Sequence, residues 1–296
     1  MNLINQSFEI LRQEGFDLPA IKKQIERCGR TSYKSENKIT ESSYIDFYKM
    51  LINNHHYSPL EFGEVYLKIP KPEQSFKVPI LLNNHWTQFD NNDDYWFFST
   101  NMRVIVENKL ESILQYLCVP CKYHSKRMTV KFITNRAVTH ELVRHRDNMS
   151  FIQESQRYCN YSKDKFGNEV TFIKPSWIDI PTGNYELYED DDSLEGLDVY
   201  HIDNDKNPLI DLTLAEKAFI RSCDNAEQDY FSAIKNGWKP QQARVVLPNS
   251  CKTEICVCGT PDAWKHLFKL RDSVNADPQM RDLIHPLHNI VGYVYK

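Results

Sequence analysis

The run His140-Glu141-Leu-Val-Arg144-His145-Arg146 sets three basic side chains in succession, and Gln153, Glu154, Ser155, Gln156, Arg157 and Tyr158 follow closely. A guanidinium is a rigid fork of donors, and a serine adds a hydroxyl. Together they suit phosphate oxygens. With 135–146 read as a helix, successive side chains stand about 100° apart, so Arg144 and Arg146 face different ways and can serve two anions. Basic residues near a helix C-terminus also complement the helix dipole with no ligand present. For Arg-His-Arg alone that plain role is the better account. The Ser-x-Arg-Tyr continuation turns the balance towards anion binding.

Other chemistries are poorly represented. The nine glycines form no GxG, so a dinucleotide fingerprint and a P-loop are both absent, as are GxSxG and HExxH. A nucleotide would have to be held by side chains. Cys118-Val-Pro-Cys121, with His124 nearby, and Cys256/Cys258 have spacings that a zinc or redox site could use. However, Cys118 follows a helix-like segment, and Cys256 and Cys258 share one face of a strand-like run. Buried free thiols are the simpler expectation, with no metal.

The basic cluster resembles the signature of the flavin-dependent thymidylate synthases: Arg144-His145-Arg146, a gap of 147–154, then Ser155-x-Arg157-Tyr158. The family's gap is one residue shorter, and the extra residue falls among Asp147, Asn148 and Met149. Arg30-Thr31-Ser32-Tyr33, His56-Tyr-Ser58-Pro59-Leu-Glu61, Ala243-Arg244-x-x-Leu247-Pro248 and Leu270-Arg271 are similar to further blocks of that family. The likeness covers roughly 18–69 and 126–290, leaving 70–125 as an insertion.

The resemblance implies reductive methylation of dUMP to dTMP without a cysteine nucleophile. FAD would be the cofactor, with NADPH and 5,10-methylenetetrahydrofolate as co-substrates. It places Arg271 at the uracil edge and, with Ser155, among the catalytic groups. Glu141, Arg144, Glu154, Ser155, Gln156, Arg157, Arg244 and Arg271 become dUMP contacts, with Glu141 either touching the nucleotide or orienting an arginine. Ser32, Ser58, Arg144, His145, Arg146, Gln153 and His266 become FAD contacts, and His56 lies near the flavin ring and folate. Asp262 falls where some members carry arginine and is left out. The resemblance also implies a homotetramer with shared active sites. Two alternatives differ in class: an inactive flavin- and nucleotide-binding relative, and a nucleic-acid-binding protein using the arginine cluster.

These residues need a frame to position them. Asp17 with Pro19 signals a helix to Gly29, and 41–54 reads as a second. Val65–Ile69 and Met128–Phe132 alternate as strands, while 99–117 reads as helical. The acidic stretch 186–211 reads as a solvated surface loop. Thr213-x-x-Glu216 is a capping box opening a long helix, and Thr260-Pro261 and Asp277-Pro278 open two more. The expectation is a mixed α/β fold, a central sheet flanked by helices, with 1–296 as one domain. Net charge is −4, which gives no general attraction to nucleic acid or anionic membranes. No apolar run is long enough to span a bilayer, and the start lacks a signal-peptide pattern. A cytoplasmic protein is expected.

Overall fold

The chain opens with β1 (Asn2–Ile4) and β2 (Ser7–Ile10), and these two strands enter different sheets. The computed structural model describes residues 1–71, 77–163, 167–189, 193–202, 207–209 and 211–292. Among them are three sheets, each with its own apolar core.

The central sheet has the order β2, β6 (Met128–Asn135), β12 (Lys252–Gly259), β7 (Met149–Gln153), with antiparallel neighbours. Its two faces follow from the period-2 alternation of β12. Ile255 and Val257 join Val130 and Phe132 on one face, covered by α5 (Arg136–Leu142), α8 (Pro261–Arg271) and α9 (Pro278–Val291). Cys256 and Cys258 point to the other face, into a cluster with Leu11, Phe62, Ile152 and Cys28 of α1 (Leu18–Thr31). The expected sheet between helices is present, and these two cysteines fill core.

The segment 70–125 is integrated into the fold. β3 (Glu64–Pro70), β4 (Gln88–Asn91) and β5 (Tyr95–Asn101) form an antiparallel sheet in the order β3-β5-β4. Val65, Leu67 and Phe98 pack with Ile21 and Ile25 of α1 and Phe47 and Leu51 of α2 (Ser43–Asn53). Two short helices, α3 (Lys77–Leu82) and α4 (Met102–Glu107), complete this layer. The helix expected over 99–117 is broken up. Ser99–Asn101 finish β5, Asn101 caps α4 by accepting from Val104 N at 3.1 Å, and Lys109 is left-handed (φ 55°) before a 3-10 turn at Glu111–Tyr116. A left-handed lysine cannot continue a helix.

The third sheet runs β11-β10-β9-β1-β8, built from β8 (Thr171–Ile173), β9 (Gly183–Glu189), β10 (Leu197–His201) and β11 (Asn207–Pro208). It packs on α6 (Leu214–Lys235), with α7 (Pro240–Ala243) beside it. The acidic stretch therefore holds strands where a loop was expected. Tyr185, Leu197 and Val199 are buried while Asp198 is exposed, so its charge sits on the outer face. Residues 190–192, 203–206 and 210 of that stretch lie outside the described residues. The capping box at Thr213 and Glu216 forms as its spacing predicts. Among the described residues no helix is long and apolar enough to cross a membrane.

At the start of β3, Glu64 is buried and accepts from Tyr66 Oη at 2.8 Å. Burial pushes its carboxyl up to about 7. A raised acid stabilises the fold below the unfolded value of 4.5, and that contribution is lost as pH rises through 7. Glu64→Gln keeps the acceptor and removes the charge. It should stabilise the protein by about 2 kcal/mol at pH 8 and by little at pH 5, read from urea melts. Equal effects at both pH values would refute this account.

Candidate active site

α8 ends at Arg271, and its guanidinium crosses to the end of α5. Nε donates to His145 Nε2 at 2.9 Å, Nη1 donates to the Glu141 carboxylate, and Nη2 lies 3.4 Å from the Glu141 carbonyl. Glu141 therefore orients an arginine, one of the two roles open to it. His145 is buried, with His266 edge-on at 5.9 Å between ring centroids. Burial, aided by the charge of Arg271, pulls the His145 ring down to about 4. It is neutral at physiological pH, and because Nε2 accepts, its proton sits on Nδ1.

The helix expected to reach Arg146 stops at Leu142. Asn135 caps its start, accepting from Val138 N at 2.9 Å, and the chain then turns into β7. Asn148 makes the turn in the left-handed region (φ 54°). Its carbonyl faces Thr260 N at 3.4 Å, and its side-chain oxygen accepts from Gln88 Nε2 at 2.9 Å. Asn tolerates this backbone better than most residues, and it lies where the gap is one residue longer than in the resembled family. Arg144 and Arg146 are exposed from this turn. With His145, His266, Leu270 and Arg271 they line a cleft of about 490 Å³. Gln88 of β4 and Ser125 also line it, as does Asp262.

A second group lies at the opposite end of β7. Glu154 is buried and accepts from Lys252 Nζ at 3.1 Å. Lys252 also pairs with Glu254 at 2.6 Å, as does Lys131 at 2.5 Å, and Lys34 binds the same carboxylate. These lysines hold the Glu254 carboxyl well below its usual range despite burial. Ser155 N donates to Ser32 O at 3.1 Å, and Ser155 Oγ lies 3.4 Å from Arg157 N. Gln156 donates to Cys251 Sγ at 3.4 Å. Arg136 lies near Cys251, with its Nη1 buried and unpartnered, and its N–H donates to Asn249 O, five residues beyond Arg244.

The residues singled out from sequence thus divide. Arg144, His145, Arg146, His266 and Arg271 line the cleft, and Glu141 holds Arg271. Ser155, Gln156, Arg157 and Ser32 stand at the far end of a five-residue strand, about 13 Å along it. Ser32 is therefore not with the Arg-His-Arg turn of its own chain. Gln153 is turned to Thr139 and Thr253 at 3.0 and 3.1 Å. His56 and Ser58 are exposed, Ser58 opening the turn Ser58–Phe62. Sequence reasoning missed Gln88 and Arg136, and took Asn148 only as a candidate for the extra residue of the gap. Only Arg136 carried a signal, as a cation directly after a helix cap. Among the described residues no three His, Cys, Asp or Glu side chains are grouped to hold a metal. Burial raises the Cys118 thiol to about 11, unlike a reactive thiolate.

The mixed α/β chain thus carries cationic side chains at both ends of one strand. The chain belongs to the thymidylate synthase complementing protein family (Thy1), whose sequence model matches residues 124–295, more than half of it. It is 32% identical over 149 residues to the flavin-dependent thymidylate synthases of Mycobacterium sp. (strain KMS) and Mycobacterium tuberculosis (strain ATCC 25177 / H37Ra), covering 50% of this chain. It spans about half the length of these relatives, 51% and 50% respectively. A solved UMP/dUMP methylase, PolB from Streptomyces cacaoi bound with 5-Br UMP, aligns over 99% of this chain and 91% of its own at 14% identity, with a TM-score of 0.42.

His145 makes the cleft sensitive to acid. Its folded value lies below the unfolded 6.5, so stability is lost as pH falls from 6.5 towards 4. His145→Gln should remove about 1–2 kcal/mol of that loss, measured by urea melts at pH 7 and 4.5. An unchanged pH dependence would contradict a neutral His145.

Proposed function

We propose that the protein is a flavin-dependent thymidylate synthase, methylating dUMP to dTMP with FAD, 5,10-methylenetetrahydrofolate and NADPH. The observation that carries this reading is the guanidinium of Arg271, held by the Glu141 carboxylate and a neutral His145 in a cationic cleft. Two further N–H groups of that fork are left to face a uracil edge. There a fixed positive charge stabilises negative charge developing on the ring carbonyls, so no thiol attack on the ring is required. Ser155, Gln156, Arg157, Arg244 and the unpartnered Arg136 Nη1 supply donors for the nucleotide phosphate. Arg144, Arg146 and His266 suit a pyrophosphate, and Met149, Ala263 and Leu270 suit a ring, so the cleft fits FAD. The flavin supplies hydride chemistry when bound, and the protein supplies binding and orientation. In this reading His56 lies near the flavin ring and folate, Ser32 and Ser58 contact the flavin, and Glu154 and Gln153 lie beside the nucleotide and flavin.

Because the two donor groups lie at opposite ends of β7, a site that uses both draws them from two copies of the chain. Exposed Val143, Leu270 and Val274 around the cleft support such an interface, and a homotetramer is the assembly proposed. Within it the chain acts as one domain, with 70–125 inserted, in the cytoplasm, with dUMP and no nucleic acid or membrane as partner. Asp262, exposed on the cleft wall, favours a second reading in which flavin and nucleotide bind without turnover.

One assay separates the two readings: tritium release from 5-tritiated dUMP with methylenetetrahydrofolate and NADPH. Release should require FAD, and Arg271→Ala should lower it by about 100-fold or more while retaining FAD. No release from wild-type protein that binds FAD and dUMP would establish the inactive reading.

A further inference from the structure

A second opening, of about 680 Å³, lies where the inserted segment meets the central sheet. Glu64, Tyr66, His124 and Lys126 line it from one side. Leu11, Arg12, Phe16, Lys265 and Val291 line it from the other. It is separate from the cleft: Pro261 and Lys265 of α8 face this pocket, while Asp262 and His266 face the cleft.

Its charge is out of keeping with the whole molecule. Arg12, Lys126, Arg127 and Lys265 stand in its wall against the single carboxylate of Glu64, in a chain whose net charge is −4. Arg127 is 5% exposed, and its Nε donates to Cys258 Sγ at 3.4 Å. Neither Nη1 nor Nη2 has a hydrogen-bond partner. Glu64 makes no ion pair with it among the described residues, since its carboxylate accepts from Tyr66 instead. With its carboxyl raised to about 7 by burial, Glu64 offers at most one negative charge against the four cations of the wall. A buried guanidinium with both terminal nitrogens unsatisfied is costly and is normally matched by an anion. Its Nε is fixed on Cys258, and the two terminal nitrogens keep their donors unused in a side chain that lines the opening. Leu11, Phe16, Pro120, Met128 and Val291 give the pocket an apolar portion, beside the polar Gln13, Tyr66, His124 and Thr129.

We propose that this pocket is a second ligand site, for a small organic anion whose carboxylate or phosphate oxygens pair with Arg127 and whose apolar body lies on Leu11, Phe16 and Val291. Lys126 and Lys265 at the rim draw the anion in. The inserted segment adds Pro120 and His124 to this wall.

Titration calorimetry of the full chain with benzoate, phenyl phosphate and the neutral benzamide tests this. At least one anion should bind one to one, about tenfold or more tighter than benzamide. Tighter benzoate assigns a carboxylate ligand, and tighter phenyl phosphate assigns a phosphate ester. Arg127→Gln should abolish binding. Lys126→Glu, at an exposed position that does not threaten folding, should weaken it about threefold or more. Arg271→Ala should leave it unchanged. Equal binding of benzamide, no anion binding at about 10 mM, indifference to Lys126→Glu, or loss confined to Arg271→Ala would each overturn the proposal.

Discussion

Strand β12 lies between β6 and β7, paired with β6 from Lys252 to Gly259 and with β7 from Ile255 to Gly259. Its pleat sends Ile255 and Val257 to one core and Cys256 and Cys258 to the other. The same strand sets Lys252 and Glu254 beside Glu154, and its last residue leads directly into the helix that carries His266 and Arg271. A one-residue slip would exchange the two faces and reverse all of these placements. Both functional groups therefore inherit their geometry from one register.

Two charged assemblies sit on that frame and work differently. Around Glu254, three ammonium groups share one buried carboxylate, with Glu154 and Glu36 taking up the excess. Removing one partner from such a group is costly, because the others stay buried. Around Arg271, one carboxylate and one neutral ring hold a single guanidinium, so that group is also balanced in charge, but two of its N–H donors stay unused. The first assembly is close to balanced and suits fixing structure. The second has donors to spare, with the exposed Arg144 and Arg146 beside it, and suits acting on a ligand.

Helix starts were the most legible part of the fold, since caps at Asp17, Asn135, Thr213, Thr260 and Asp277 are local chemistry. Strands within charged sequence were not legible. In β9 and β10 the acidic residues on the exposed face hide the alternation of Tyr185, Leu197 and Val199. The 99–117 segment misled because its composition suits a helix, and the interruption depends on the backbone at Lys109. For the site, residue types were readable from motif spacing, but their partition between the two ends of β7 was not. That partition depends on strand pairing between residues about a hundred positions apart. Gln88 carried no signal at all, since its role depends on Asn148, sixty residues away.

The Gln88–Asn148 hydrogen bond ties a strand of the second core to the turn bearing Arg144 and Arg146. Each core could otherwise fray on its own schedule, as locally cooperative units do. With this tie, amide exchange in the turn is coupled to opening of β4, a short strand at a sheet edge. The rigidity of the turn that carries Arg144 and Arg146 is thus set partly by an element outside the family-matched region. Sequence drift in that element would change how often the cleft is correctly shaped without altering any residue that lines it.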